Sequence, residues 1–315
     1  MSEVDRRLAE VAAANHCLFT MSEVLAAGGN ETLARRRVLA GFWDHPYETV
    51  FHVAGAPWTY EAKLLAAVLA AGEGACASHY CACRLLGIAY PFAPAEISIP
   101  RGAFFRSKGI VVHTSTDLDR CKILTRNRIP VTDPNRMLLD VARYLRGASL
   151  RGVVEDARRS TDEVDWHSLI ECVSVHARQG RRGINRMREV IAASMVNTEV
   201  TETDGELAAV GLLREHGFGE PRLQYKVYAE DGRLVANMDA AYPSDRVNFE
   251  IDGSVHQRAD VLLKDKARDH ELRVIYGWTV ERIPAEIPVR NPRLFVNIAR
   301  QTFKEARARA AAVIP

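Results

Sequence analysis

The stretch from Val235 to His256, VANMDAAYPSDRVNFEIDGSVH, constrains the fold more than any other part of the chain. Residues 234–241 and 247–252 alternate between apolar and polar, which is typical of strands with two different faces. The segment Pro243-Ser244-Asp245-Arg246, which lies between them, has the proline and the polar side chains of a turn. The pattern therefore predicts an antiparallel hairpin.

The hairpin carries acidic side chains where a covered sheet would disfavour them. Glu250 and Asp252 share one face of the second strand, because successive side chains point to opposite faces. If Tyr242 and Val247 close the turn, Asp239 lies directly opposite Glu250. Like charges in this position are destabilising unless a positive charge lies between them. A divalent cation is the natural candidate, and ligands that are all oxygen favour Mg2+ or Mn2+.

A solvated outer face is the alternative, since exposed acids on a hairpin need no partner. Two observations oppose it. The acidic face has no interleaved Lys or Arg, and the flanking sequence on both sides predicts helices that would cover the sheet. A covered acidic face favours a site.

Length and composition are those of a globular protein. The chain has 315 residues, of which 47% are hydrophobic and 26% charged, and this length allows two or three domains. The sequence contains no recognisable signal peptide or spanning segment, and its six scattered cysteines do not resemble a disulfide framework. We therefore expect a cytoplasmic protein that does not associate with membranes.

The net charge of +2 conceals a segregation of charge. Residues 101–159 hold thirteen Lys or Arg against six acids, and residues 199–260 hold thirteen acids against six bases. A basic surface beside an acidic pocket is expected of a protein that binds a polyanion and acts on it through a metal. A patchwork of solvated faces is the alternative.

The first 55 residues predict a winged helix-turn-helix. Helices are indicated at 5–15, after Thr20 and after Asn30, and alternating residues around 49–53 indicate a small hairpin. The third helix, in the position that reads DNA, carries Arg35, Arg36 and Arg37. Such units also dock other proteins, so a protein-binding module is the alternative.

The middle region predicts a mixed α/β domain with a basic helical end. Five arginines within eleven residues make this end a second candidate contact for phosphate: Arg178, Arg181, Arg182, Arg186 and Arg188. Cys81 and Cys83 lack the two-residue spacing of zinc ligands, which favours a structural role for both.

The expected organisation is a mixed α/β chain of three domains. A winged helix-turn-helix covers 1–55, the middle domain 56–195, and a third domain 196–315 follows a linker near 194–201. The third domain predicts the element order α-β-β-β-α-β-α.

That order resembles the core of the restriction endonuclease-like superfamily, and the acids occupy its second and third strands. The pattern resembles that of Vsr-related nuclease-like domains, and the residues that carry it are Asp239, Glu250-Ile251-Asp252-Gly253, His256, Asp265, Arg268, Leu272 and Gly277-Trp278. The resemblance covers about the last 120 residues. It implies a metal-dependent nuclease site.

The upstream region resembles the AbiEi-type antitoxin family. Besides the winged helix, the resemblance rests on Ser78-His79, Ile129-Pro130-Val131-Thr132 and Arg136-Met137-Leu138-Leu139-Asp140. Members of that family repress their own promoters and neutralise nucleotidyltransferase-like toxins. The resemblance therefore implies DNA and such a toxin as partners, whereas the oligomeric state is not indicated.

The third domain departs from the superfamily at one position. Asp252 stands where an acid-x-lysine motif has its lysine, and a carboxylate cannot stabilise the charge that develops on a phosphate. We expect the cation to come from elsewhere, with His256, Lys264 or Arg268 as the donor.

Glu206 has two interpretations. The similar families carry a possible metal ligand on this first helix. However, Thr203 and Glu206 also have the spacing of a capping box, in which the glutamate bonds back to the threonine backbone.

The leading hypothesis is a Mg2+-dependent (or Mn2+-dependent) DNA endonuclease or nickase joined to a DNA-binding head. Asp239, Glu250 and the Ile251 carbonyl would hold the ion, with Glu206 as a further ligand, and His256 would relay a proton or contact the phosphate. The residues assigned to catalysis are Asp239, Glu250, Asp252, His256 and Arg268. The alternative is a transcriptional regulator or antitoxin that retains the nuclease fold as a scaffold.

Overall fold

The protein, described by a computed structural model over residues 2–88, 94–195, 200–253 and 270–313, has the mixed α/β fold that the sequence predicts. The chain forms two compact units. Unit 1 comprises Met1–Val141 and Arg151–Glu163, and unit 2 comprises Ala142–Leu150 and Val164–Pro315. Within the described ranges, no helix combines the length and apolarity that crossing a membrane requires.

Unit 1 begins with the predicted winged helix-turn-helix. Its elements are α1 (Glu3–Ala14), β1 (Leu18–Thr20), α2 (Met21–Ala26), α3 (Glu31–Leu39), β2 (Trp43–Tyr47) and β3 (Val50–Val53). The three strands form an antiparallel sheet in the order β1-β3-β2.

Local sequence explains these helices. Ser2 and Thr20 form capping boxes at the starts of α1 and α2, and the Asn30 side chain accepts a hydrogen bond from the Leu33 amide at the start of α3. The core of this part is aromatic: Phe19 and Trp43 meet edge to face with their ring centroids 4.8 Å apart.

The rest of unit 1 is built on a five-stranded mixed sheet in the order β6-β5-β4-β8-β7. The strands are β4 (Cys76–Ala77), β5 (Ala95–Pro100), β6 (Ile110–Ser115), β7 (Ile123–Arg126) and β8 (Ile129–Thr132). The helices are α4 (Tyr60–Ala71), α5 (His79–Leu85), α6 (Pro134–Val141) and α7 (Gly147–Ser160), the last of which begins among residues assigned to unit 2.

Unit 2 has a four-stranded sheet in the order β12-β11-β10-β9, in which only the β11–β12 pair is parallel. The strands are β9 (Arg222–Tyr228), β10 (Leu234–Tyr242), β11 (Val247–Asp252) and β12 (Thr279–Pro284). The helices are α8 (Trp166–His176), α9 (Ile184–Ser194), α10 (Glu202–Glu215), α11 (Glu286–Arg290) and α12 (Pro292–Val313). Residues 270–274 are also helical.

The predicted order α-β-β-β-α-β-α is therefore present in unit 2, with the fifth element described only at its end. One face of β11 is anchored by Phe249, which is fully buried and packs against Phe295 and Phe303 of α12. The opposite face is covered as well, since Asn248 and Glu250 are 0% and 5% exposed. The acidic face is thus covered around Glu250, whereas the Asp252 side chain remains 39% exposed.

Candidate active site

The hairpin register is the predicted one. Tyr242 pairs with Val247, and the last pair of this ladder is Ala240 with Phe249. The next position in the same register places Asp239 opposite Glu250. The Asp239 carboxylate lies at the backbone of β11, where its Oδ2 accepts a hydrogen bond from the Ile251 amide at 3.3 Å. Two acids of the proposed site are therefore adjacent.

Glu206 joins these acids from α10. The capping box of this helix is formed by Thr201 and Asp204, two residues before the one suggested by the sequence. The capping interpretation of Glu206 with Thr203 is therefore wrong, because the helix starts earlier. The pKa of the Glu206 carboxyl is raised by partial burial and then by the negative charges of Asp239 and Glu202.

Gly205 explains how α10 comes close enough. A Cβ atom at Gly205 would lie 2.6 Å from the Cα of Ala285 and 2.8 Å from Cγ2 of Ile251. Only glycine permits this approach of the helix to β11 and to the end of β12. The neighbouring Glu206 is consequently held beside the strand acids.

Arg282 supplies a positive charge that the sequence analysis missed. On β12 it pairs in register with Glu250, and its Nη2 lies 2.9 Å from Glu250 Oε2, while its Nη1 lies 3.7 Å from Asp252 Oδ2. The expectation that no Lys or Arg interleaves with the acids is therefore wrong, because the cation comes from the adjacent parallel strand. The alternating TVERIP segment predicts a strand, but not which strand lies next to it.

The guanidinium of Arg282 lies beside Glu250 and Asp252, while the charges of Asp239 and Glu202 act on Glu206. No three of these described acids bring one ligand atom each within 4.8 Å of one another. Amide side chains surround the acids. Gln224 donates to Asp239 Oδ1 at 3.3 Å, and Asn248 donates to Glu250 Oε1 at 3.3 Å. The negative charge exceeds the positive charge, which is the balance that attracts a divalent cation.

Three predicted contributors fall in a part of the chain that the structure does not describe. His256, Lys264 and Arg268 lie outside the described residues. Their proposed roles in proton transfer and phosphate contact remain predictions.

The arginines predicted to contact DNA fall into different environments. In the winged helix, Arg35 and Arg36 are exposed, whereas Arg37 forms an ion pair with Asp5 of α1 at 2.6 Å. Asp5 thus gives Arg37 a structural partner, so a DNA contact at α3 rests on the first two arginines.

The second arginine group divides in the same way. Arg178 and Arg182 are exposed and Arg181 is half-buried, but Arg188 is 8% exposed and pairs with Glu215. Arg186 donates to the carbonyl oxygens of Ala142 and Arg143. The phosphate contact predicted for Arg188 does not fit, because α9 directs this side chain inward.

A second group of side chains, in unit 1, could hold a metal ion. One ligand atom from each of His79, Glu96 and His113 lies within 4.8 Å of the other two. The spacing of these residues in the sequence does not mark them as ligands, because they come from three separate elements. The nearby Cys81 and Cys83 are structural as expected, because burial raises the pKa values of their thiols to about 11 and about 12.

No family model and no curated protein matches the chain. Among solved structures it is similar to one described as "Crystal structure of RV2827C protein from Mycobacterium tuberculosis", with 14% sequence identity and a TM-score of 0.41. That alignment covers 73% of this chain and 89% of the other. A similarity this distant carries no argument about function.

Proposed function

We propose that the protein is a DNA-binding phosphodiester hydrolase, an endonuclease or nickase, whose unit 2 uses Mg2+ or Mn2+. The observation that carries the proposal is the placement of Asp239 and Glu250 on adjacent strands, with Glu206 near enough to Asp239 for their charges to interact and with Arg282 paired to Glu250. The element order and the resemblance to restriction endonuclease-like domains support it.

Carboxylate oxygens are the type of donor that a hard divalent cation prefers. Glu206, Asp239 and Glu250 would hold the ion through carboxylate oxygens, and the Ile251 carbonyl is the further predicted ligand. Partial burial and neighbouring charges raise the pKa of Glu206, so a cation would favour its ionised form. When bound, such an ion lowers the pKa of a water molecule and orients it for attack on phosphorus.

Arg282 replaces the lysine that the acid-x-lysine pattern would provide. Its guanidinium is planar and can bond an oxyanion through two N–H groups, which suits the charge on a phosphate at the moment of cleavage. Its contacts with Glu250 and Asp252 hold it at the site. Asp252 is therefore a positioning residue for Arg282.

The winged helix provides the DNA contact in this proposal. The exposed Arg35 and Arg36 would meet phosphates from α3, and the exposed Arg178 and Arg182 are a second candidate contact. Such contacts position a protein on DNA without selecting a sequence.

Nicking of supercoiled plasmid tests the proposal. We expect wild-type protein to relax the plasmid in Mg2+ or Mn2+ but not in chelator. Glu250→Ala and Asp239→Ala should each abolish nicking while DNA binding is retained, and their effects should not add. Nicking that survives either substitution, or that persists in chelator, would assign the activity to another site or to a contaminant.

The Arg282 ion pairs favour a second candidate function. Because Arg282 already neutralises part of the acidic group, the site has a partner without a metal, as a non-catalytic scaffold would. The chain would then be a transcriptional regulator or antitoxin with DNA and a nucleotidyltransferase-like toxin as partners. Retained DNA binding without any divalent-dependent nicking or metal binding would favour this function.

A further inference from the structure

The group formed by His79, Glu96 and His113 belongs to unit 1, whereas the acids of the candidate active site belong to unit 2. The three residues come from α5, β5 and β6. Nε2 of His113 lies 3.7 Å from Oε1 of Glu96, and the two imidazole rings stack with their centroids 3.7 Å apart. His79 and Glu96 are each 5% exposed, so the group is largely shielded from water.

The sheet brings these residues together. In the parallel pair β5–β6, His113 lies beside Ser98, and Glu96 precedes Ser98 by two residues on the same face. His79 begins α5 one residue after the end of β4, and β4 is the other neighbour of β5. The arrangement is thus built from secondary structure rather than from loops.

Local features fix the orientation of His79. Its Nδ1 lies 2.9 Å from the hydroxyl of Ser78, which in turn accepts a hydrogen bond from Ser98 at 2.8 Å. Ser78 is the N-cap residue of α5 but makes no side-chain capping bond. Its hydroxyl orients the imidazole instead.

The backbone of His79 is also unusual. Its φ of +56° lies in the left-handed region, which is unfavourable for a residue with a Cβ. Residues held in this region occur at ligand sites because the surrounding structure compensates for the strain.

We propose that this group binds a Zn2+ ion. Nε2 of His79, Oε1 of Glu96 and Nε2 of His113 would be the ligands, and water would take a fourth position. Two imidazoles and one carboxylate suit Zn2+, whereas Mg2+ prefers ligands that are all oxygen.

The surrounding bonds agree with this assignment. Glu96 keeps its other oxygen, Oε2, bonded to the Tyr80 amide at 2.9 Å, so Oε1 can face the ion. Ser78 can accept the proton of His79 Nδ1, which leaves the Nε2 lone pair for the metal. The stacked rings would have to tilt so that both Nε2 lone pairs converge on the ion. His113 lies on β6, an edge strand of the sheet. The bound ion would join α5 to that edge.

Metal titration of the full chain, first stripped by chelator, tests the proposal. In an Asp239→Asn background, which disables the proposed site of unit 2, we expect one equivalent of Zn2+ per chain, a higher melting temperature in Zn2+, and little change in Mg2+. Co2+ should give visible absorption of a low-coordinate site without a thiolate charge-transfer band. A thiolate band would place the ion on cysteines and overturn the proposal.

Variants assign the ligands. Glu96→Gln keeps the acceptor for the Tyr80 amide and removes the charge, and His113→Gln removes a ligand near the surface. Both should lose at least about tenfold in Zn2+ affinity. His45→Gln, an exposed histidine of the same unit, is the matched control and should bind as wild type does.

Melting curves without metal separate loss of binding from loss of folding. The proposal is supported if His113→Gln unfolds cooperatively without metal and its melting temperature does not rise when Zn2+ is added. Wild-type Zn2+ affinity in both Glu96→Gln and His113→Gln, or no bound Zn2+ in the wild type, would overturn it. None of these readouts depends on DNA cleavage, so failure here leaves the proposed nuclease site untouched.

Discussion

Arg282 and Glu250 occupy paired positions on the parallel strands β12 and β11, and their side chains meet at 2.9 Å. Glu250 is almost completely buried, whereas Arg282 retains a quarter of its side-chain exposure. The guanidinium can therefore neutralise the charge of the buried Glu250 carboxylate and still remain accessible to a ligand that enters from the solvent. This pairing compensates the buried charge without a metal, and in the proposed function it leaves a cation in place for a phosphate.

Replacing Arg282 tests this dual role. Arg282→Gln should lower the free energy of unfolding by about 2 kcal/mol in chelator, because Glu250 would lose its charged partner in a buried position. Mg2+ or Mn2+ should restore part of that loss. Nicking should fall further in Arg282→Gln than in Arg282→Lys, which keeps the charge. Equal stability of wild type and Arg282→Gln would contradict the pairing.

Glu206 predicts a dependence of stability on pH. Its folded pKa is raised above the ordinary value of 4.5, so the folded state binds more protons than the unfolded state in the window above that value. The proton that Glu206 binds in the folded state therefore stabilises the protein at low pH. This stabilisation is lost as pH rises through the folded pKa. Glu206→Gln should therefore be more stable than wild type at neutral pH, and the difference should shrink as pH falls toward 4.5. Chemical denaturation across this range measures it, and a difference that grows on acidification would exclude the mechanism.

Gly205 predicts a steric effect with an internal control. Gly205→Ala places a Cβ within 2.6 Å of the Ala285 backbone, and we expect a loss of about 2 kcal/mol together with weaker metal binding. At the helical Gly152, a Cβ would meet no atom within 4 Å, so Gly152→Ala should stabilise by about 0.5 kcal/mol. Thermal melts of both variants give the comparison. Similar effects at the two positions would mean that the close approach of α10 does not exist.

The arginines of α3 predict separable losses. The double variant Arg35→Ala, Arg36→Ala should weaken DNA binding several-fold. It should also reduce the slope of log K against log salt concentration by about one for each phosphate that is no longer bound. Arg37→Ala should instead lower stability by about 1 kcal/mol, since it removes the partner of Asp5. Mobility-shift titrations at several salt concentrations measure the first effect. Unchanged binding in the double variant would move the DNA-binding surface to Arg178 and Arg182.

The sequence predicts local features of this protein well. The turn after Tyr242 and the alternation around Glu250 depend on neighbouring residues, and both the hairpin and its register are confirmed. The helix starts marked by Thr20 and Asn30 are confirmed for the same reason. The strand β1 is not predicted, because three residues are too few to show alternation.

Features that depend on distant parts of the chain could not be predicted in this way. Arg282 meets Glu250 only because β12 adds in parallel beside β11, and nothing in the local pattern specifies that neighbour. His79 and His113 likewise meet through the order of a five-stranded sheet. The role of Glu206 is ambiguous in the sequence because Thr203 and Glu206 have the same capping-box spacing as Thr201 and Asp204, which form the actual cap of α10.

Binding of Mn2+ to the acidic group tests the central claim most directly, since it requires no knowledge of the DNA substrate. The measurement is a titration followed by the paramagnetic resonance of free Mn2+, made in a His113→Gln background so that the histidine group does not contribute. We predict one Mn2+ bound per chain and its loss in Asp239→Asn, which keeps the shape of the side chain and removes one charge. In chelator, Asp239→Asn should also have a higher melting temperature than its parent. The expected gain in the free energy of unfolding is a few tenths to about 1 kcal/mol, which is typical of a cross-strand pair. Equal Mn2+ binding with and without Asp239→Asn, or none in either protein, would contradict the account and favour the non-enzymatic regulator.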